Sequence, residues 1–205
     1  MTDKIILDLC GGTGAWSKPY KDNGYDVRVI TLPDYDIRTY RPPKNVYGIL
    51  CAPPCTHFSV ARNDKTAKEP RDLRQGMEIV QACFNIIWEC LYDPYRVSEN
   101  PLKFWALENP NGYLKRFLGK PALDFHPCDY GDPYTKRTLL WGMFNEPKVN
   151  KVKADRGTMV KYAAQFADLK PVCPDYQRKL GVDARTIRRS ITPPGFANAF
   201  FDANR

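Results

Sequence analysis

The residues best suited to chemistry stand between Val46 and Ser59, VYGILCAPPCTHFS. The apolar run Val46 to Cys51 reads as a buried strand. It breaks into Ala52-Pro53-Pro54-Cys55, where two prolines end the strand and stiffen the turn. Each proline fixes φ and removes a hydrogen-bond donor. Open α/β sheets bind ligands at the carboxyl ends of their strands. A cysteine held rigidly at such an end is placed to attack carbon as a thiolate. The same residues also read as a core thiol beside a proline turn, since free cysteines are among the most buried residue types.

Other strand ends carry comparable signals. Lys4 to Leu9, KIILDL, is a short strand followed at once by Gly11, Gly12 and Gly14. Ala15 to Asn23 then reads as a helix closed by Gly24. Strand, glycine turn and helix is the layout of a nucleotide-type loop, although the G-G-x-G spacing does not meet the dinucleotide fingerprint. Asp26 to Leu32 alternates as a second strand. Leu73 to Leu91 is the strongest helix, with Met77, Val80, Phe84, Ile87 and Leu91 spaced as one core-facing side. The polar stretch Asn63 to Asp72 before it reads as a lid or as a plain surface loop. Phe104 to Leu107, FWAL, runs into Glu108-Asn109-Pro110. The triplet Glu-Asn-Pro also occurs at Glu99, but only the second copy follows an apolar run. Leu123 to Cys128 and Thr138 to Trp141 read as two more strands, with a turn at Tyr130-Gly131-Asp132-Pro133 between them. Phe196 to Ala203 reads as a final helix.

Composition narrows the class. The chain has 205 residues, suited to one domain, and 43% hydrophobic content is enough to bury a sizeable core. With 31 Lys and Arg against 23 Asp and Glu, the net charge of +8 favours a polyanionic partner. Lys148, Lys151, Lys153, Arg156 and Lys161 cluster in one loop-like stretch, which reads as phosphate-facing or as an ordinary solvated loop. Seven cysteines, an odd number, and no secretory leader point to a reduced, cytoplasmic setting without disulfides. No apolar run approaches the ~18 residues of a membrane span. No CxxC pair occurs, and no metal is expected.

The order GGTG, PPC, ENP and YGDP resembles the cytosine-5 DNA methyltransferase family. Leu7 to Ser17, LDLCGGTGAWS, resembles its first binding loop. Pro54-Cys55, with Phe58-Ser59 after it, resembles its nucleophile motif. Glu108-Asn109 resembles its Glu-Asn motif, and Tyr130 to Pro133 its tyrosine-glycine turn. Asn198-Ala199 resembles part of its closing helix. The resemblance implies a Rossmann-like α/β fold for residues 1–205, with a mostly parallel sheet flanked by helices. It implies methyl transfer from S-adenosylmethionine to carbon 5 of cytosine in DNA. Cys55 would be the nucleophile, Glu108 the acid that engages ring nitrogen 3, and Lys136 or Arg137 a supporting cation. Asp8, Gly11, Gly12, Gly14, Trp16, Asp36, Pro53 and Asn198 would line the cofactor site.

The chain also departs from the family pattern. Thr31 stands about where a ribose-binding acid is expected, with Asp34 as a substitute. Tyr134, Lys136 and Thr138 stand near the usual glutamine and two arginines. Residues 143–192 are short for a target-recognition domain and read as a reduced one. The same chemistry on RNA or a free pyrimidine nucleotide is therefore an alternative, as is a non-catalytic nucleic-acid-binding relative.

Overall fold

A computed structural model of the chain describes residues 3–62, 65, 67, 69–92, 102–155 and 170–205. Glu99, Arg156 and Lys161 lie outside them. Six strands form one sheet: β1 (Ile5–Leu9), β2 (Asp26–Ile30), β3 (Val46–Cys51), β4 (Phe104–Pro110), β5 (Leu123–Phe125) and β6 (Thr138–Met143). Their spatial order is β2-β1-β3-β4-β6-β5. β1 to β4 pair in parallel, and β6 is inserted antiparallel between β4 and β5.

The strands are apolar on both faces, as a sheet covered on both sides requires. Alternate residues divide between two cores. Leu7, Ile49, Leu107 and Leu139 face one side with helix α2 (Leu73–Tyr92). Ile6, Leu50, Ala106 and Leu140 face the other, with Trp16, Tyr20, Phe196 and Phe200. Tyr20 and Trp16 belong to α1 (Lys18–Asp22) and the turn before it, whereas Phe196 and Phe200 belong to the last helix, α6 (Pro194–Ala203). Aromatic rings join these elements, Trp16 to Phe200 at 5.4 Å and Phe125 stacked on Phe196 at 4.2 Å between centroids. Three short helices complete the described chain: α3 (Lys115–Leu118), α4 (Tyr176–Leu180) and α5 (Ala184–Ser190).

Several elements differ from the sequence reading. The helix expected from Ala15 starts only at Lys18, because positive φ angles at Gly12 and Gly14 keep the preceding residues in turns. The strand expected to reach Cys128 stops at Phe125, where Pro127 opens a 3₁₀ turn instead. The buried stripe of α2 runs through Gly76, Val80, Cys83 and Ile87, while Met77, Phe84 and Leu91 sit at its margin. Gly76 is there because Phe58 packs onto it: a Cβ would lie 2.8 Å from the ring.

The register gathers the motifs. Ile30, Leu9, Cys51 and Leu107 stand side by side as successive partners across β2, β1, β3 and β4. The glycine turn, the proline–cysteine turn and Glu108 therefore leave from one edge of the sheet. β1 leads to β2 on one side while β3 lies on the other, which makes this edge a topological switch point, where open α/β sheets place ligands. Because β6 runs the opposite way, its start lies at the same edge, with Thr138 opposite Pro110. That brings in Lys136 and the Tyr130 to Pro133 turn. No described helix is long and apolar enough to cross a membrane.

Candidate active site

Cys55 is the only exposed cysteine of the seven, and all seven are free thiols. Its carbonyl accepts hydrogen bonds from Phe58 N at 3.0 Å and Ser59 N at 2.9 Å, closing a single tight turn. Phe58 is fully buried and anchors the far side of that turn. Asn109, also fully buried, donates from Nδ2 to the Pro53 carbonyl at 2.9 Å. The residue beside Glu108 thus holds the proline–cysteine turn against β4. Tyr113 N donates to Phe58 O at 2.8 Å, and a Cβ on Gly112 would lie 2.1 Å from that oxygen. Only glycine permits this approach. Outside the turn, Arg71 donates to the His57 carbonyl at 2.6 Å and Asp72 N to His57 Nδ1 at 3.0 Å. The described end of the polar loop is therefore tied to the cysteine turn.

Glu108 is half-buried at the end of β4. Burial pushes its carboxyl pKa up, and the Lys136 ammonium opposes this more weakly. The Cys55 thiol is also pushed up, first by desolvation among its surrounding loops and then by the Glu108 carboxylate, while Lys136 and Arg189 pull it down. These four residues share one electrostatic neighbourhood. Lys136 Nζ further donates to the Arg189 carbonyl at 3.0 Å. The two candidate cations have separated roles: Lys136 joins Cys55 and Glu108, whereas Arg137 forms a two-pronged pair with Asp124 on β5, with Nη2 to Oδ2 at 2.6 Å. Arg189 carries no motif in the sequence, where it is one cation of the basic run Lys179 to Arg189.

The glycine turn is built around Asp8. This carboxyl is 1% exposed and accepts from Ser17 Oγ at 2.6 Å. Burial pushes its pKa up to about 6, with the Ser17 hydrogen bonds opposing. A Cβ on Gly11 would lie 2.4 Å from the Asp8 carboxyl, so glycine is required for the turn to fold over it. Asp8 Oδ1 has no partner among the described residues, and neither has the buried Trp16 Nε1. Gly12 faces open space, and its carbonyl accepts from Val172 N at 3.0 Å. Cys173 Sγ donates to Asp34 Oδ1 at 3.3 Å, so residues 172 and 173 wall the β1–β2 side of the edge. Asp36 is engaged by Arg38, which donates from its backbone at 3.0 Å and from its guanidinium at 2.5 Å. Asn198 lies apart from the glycine turn in its lining, in a cleft of about 720 Å³ with Tyr130, Lys148 and Asn150.

Beneath the turns, the Cys83 thiol of α2 is hydrogen-bonded with Cys10 and Cys51. Cys10 is pushed well up, first by its Cys83 hydrogen bond and then by burial, so it stays a neutral thiol at neutral pH. The basic stretch after β6 docks along the 3₁₀ turn. Asn150 N donates to Asp129 O and Val152 N to Cys128 O, both at 2.8 Å, and Lys151 pairs with Asp129 at 3.8 Å. The leading charges on Cys55 are those of Glu108, Lys136 and Arg189, and none comes from this stretch. Among the described residues, no group of three or more His, Cys, Asp or Glu side chains is placed to hold a metal ion.

No protein-family model and no curated protein sequence matches the chain. Solved structures similar to it include two methyltransferases. The Entamoeba histolytica methyltransferase EhMeth aligns at 11% identity with a TM-score of 0.40, covering 76% of this chain and 58% of that one. The S. pombe Dnmt2 methyltransferase aligns at 12% identity with a TM-score of 0.42, covering 87% of this chain and 66% of that one. The chain thus spans less than two thirds of the length of either structure.

Proposed function

We propose that this protein transfers a methyl group from S-adenosylmethionine to carbon 5 of cytosine in DNA, through a covalent adduct on Cys55. The observation that carries the reading is the pairing of the chain's only exposed thiol with a half-buried glutamate one strand away, whose carboxyl pKa burial pushes up. Ring carbon 5 of cytosine is a poor nucleophile. Addition of the Cys55 thiolate to carbon 6 makes it one, and Glu108 delivers a proton at nitrogen 3 as the negative charge develops there. Burial of Glu108 favours its protonated form, the state this role needs. Lys136 offsets the charge of whichever partner is ionised. Carbon 5 then takes the methyl group, leaving S-adenosylhomocysteine; the carbon 5 proton passes to water, the nitrogen 3 proton returns to Glu108, and the Cys55–carbon bond breaks to regenerate the thiolate. A target base in a duplex must first be flipped out to reach Cys55.

S-adenosylmethionine supplies the methyl group from a sulfonium centre. The glycine turn suits the amino-acid end of that molecule: Asp8 offers a buried carboxyl oxygen that lacks a partner, and Gly12 leaves the backbone open. Gly11 and Gly14 shape the turn and Trp16 follows it in the chain, while Pro53, just past the end of the neighbouring strand β3, would line the cofactor from that side. Asp36 would give up part of its pairing with Arg38 to meet an adenine amino group. Residues 143–192 would serve as a reduced substrate-recognition segment.

Methyl transfer from labelled S-adenosylmethionine to cytosine-containing DNA, RNA and cytidine monophosphate tests the reading. Cys55→Ser should abolish transfer to every acceptor while cofactor binding persists. Substantial turnover by that variant contradicts the thiol mechanism, and preference for RNA or the nucleotide moves the same chemistry to that substrate.

A further inference from the structure

The chain's cations are not all equivalent, and the ones beside the nucleophile are not those of the 148–153 stretch. Helices α4 and α5 are joined through Gly181, whose φ of +62° turns the chain between them. Asp183 starts α5 by accepting from Thr186 N at 2.6 Å. Ile187 is the one buried residue of α5, so the helix buries a single side chain and turns its remaining surface outward. Arg185, Arg188 and Arg189 are all exposed. Spaced i, i+3 and i+4, they occupy one side of the helix.

The carboxylates nearby are already used. Asp175 pairs with Arg178 at 2.8 Å and with Lys179 at 3.6 Å. Asp183 serves as the helix cap and faces Arg185. Among the described residues, no carboxylate lies within ion-pair distance of Arg188 or Arg189. The end of α5 is moored to the catalytic edge by the hydrogen bond from Lys136 Nζ to Arg189 O at 3.0 Å. Arg185 and Arg189 are separated by about 6 Å along the helix axis. That is close to two phosphate steps along one strand of a duplex, at about 3.4 Å of helix axis each.

We propose that the Arg185, Arg188 and Arg189 face of α5 grips the phosphodiester backbone flanking the base presented to Cys55. This rests on the reading of Cys55 as a base-attacking thiol and deepens it, because three cations on one face fit a polynucleotide better than a single nucleotide phosphate. DNA and RNA share the chemistry recognised. The lysines at 148, 151 and 153 are then secondary contacts.

Fluorescence anisotropy with labelled cytosine-containing oligonucleotides, single-stranded DNA, duplex DNA and RNA, measured across a salt series, tests it. The full-length protein is compared with Arg185→Gln/Arg188→Gln and with Lys148→Gln/Lys151→Gln/Lys153→Gln. The arginine variant should bind about tenfold more weakly at moderate salt and lower the salt slope by about 1.5, the effect of losing two phosphate contacts. Its thermal melt should stay unchanged, and the lysine variant should shift less. Whichever polymer shows the larger loss is the source of the phosphates. A salt slope unchanged in the arginine variant, an oligonucleotide bound no better than cytidine monophosphate, or no binding by the unaltered protein overturns the proposal. Loss of binding on α5 substitution without any Cys55 adduct would contradict the methyl-transfer reading and leave this surface standing. An adduct formed with an unaltered slope would do the reverse.

Discussion

Glu108 bears on the protonation of Cys55, and Lys136 acts on both. Ionised Glu108 raises the thiol's pKa, so a deprotonated glutamate opposes the thiolate that the chemistry needs. A protonated Glu108 removes that opposition and is also the form that can donate to the base. Both requirements therefore favour the same state, thiolate beside carboxylic acid. The rate of Cys55 alkylation by iodoacetamide, followed against pH with Cys55→Ser as background, reads the thiol directly and without any substrate. Glu108→Gln should move its midpoint to lower pH, because a negative neighbour is lost. Lys136→Gln should move it to higher pH, because a positive neighbour is lost. Midpoints that stay fixed, or move in the same direction, would show that these charges do not act on Cys55. The sequence made Cys55 and Glu108 legible, since each closes an apolar run, with Pro54 beside Cys55 and Pro110 two residues past Glu108. It left Lys136 and Arg137 equivalent, because adjacent cations at the start of a strand differ only in which side they face. The structure separates them through Asp124, a residue with no motif to mark it.

Among the elements, the β1 strand and its glycine turn hold the clearest energetic tension. Asp8 is buried with a carboxyl pKa raised from 3.8 to about 6. Below about pH 3.8 the carboxyl is protonated whether folded or unfolded, and its contribution to stability is fully present. As pH rises through about 6 the folded protein must ionise a buried group, and that contribution is lost. At ~1.4 kcal/mol per pKa unit, the loss is about 3 kcal/mol by neutral pH. Asp8→Asn keeps an acceptor for Ser17 and has no such titration. Denaturant unfolding should show the variant matching the unaltered protein near pH 4 and exceeding it by up to about 3 kcal/mol near pH 8, with cofactor binding weakened. A stability difference that is constant with pH contradicts the raised pKa. This tension was not legible in Leu7 to Ser17, where Asp8 is one polar residue in an apolar strand. It arises because Gly11 folds the turn over the carboxyl. The stripe of α2 was misread by a few positions for a related reason: Gly76 and Cys83 are small and escape a search for large apolar side chains, yet Phe58 and the two thiols above need their space.

At the scale of the molecule, one edge of one sheet collects the glycine turn, the cysteine turn, Glu108 and Lys136, and strand direction is what does it. The parallel strands β1, β3 and β4 deliver the glycine turn, the cysteine turn and Glu108 by running the same way. β6 delivers Lys136 by running the other way. The first three were legible as apolar runs ending in breakers. The antiparallel insertion was not, because an alternating strand reads alike in either direction and its partner lies some thirty residues away in sequence. The central claim is that this edge assembles a thiol that attacks carbon 6 of cytosine. An oligonucleotide bearing 5-fluorocytosine tests it most directly, because fluorine at carbon 5 cannot leave as a proton does and the adduct is trapped. The protein is incubated with that oligonucleotide and S-adenosylmethionine, digested, and mapped by mass spectrometry. The account predicts a methylated fluorocytosine adduct on the peptide containing Cys55, absent from Cys55→Ser and strongly reduced in Glu108→Gln. Trapping on another cysteine, or methyl transfer to cytosine with no adduct on Cys55, would contradict it.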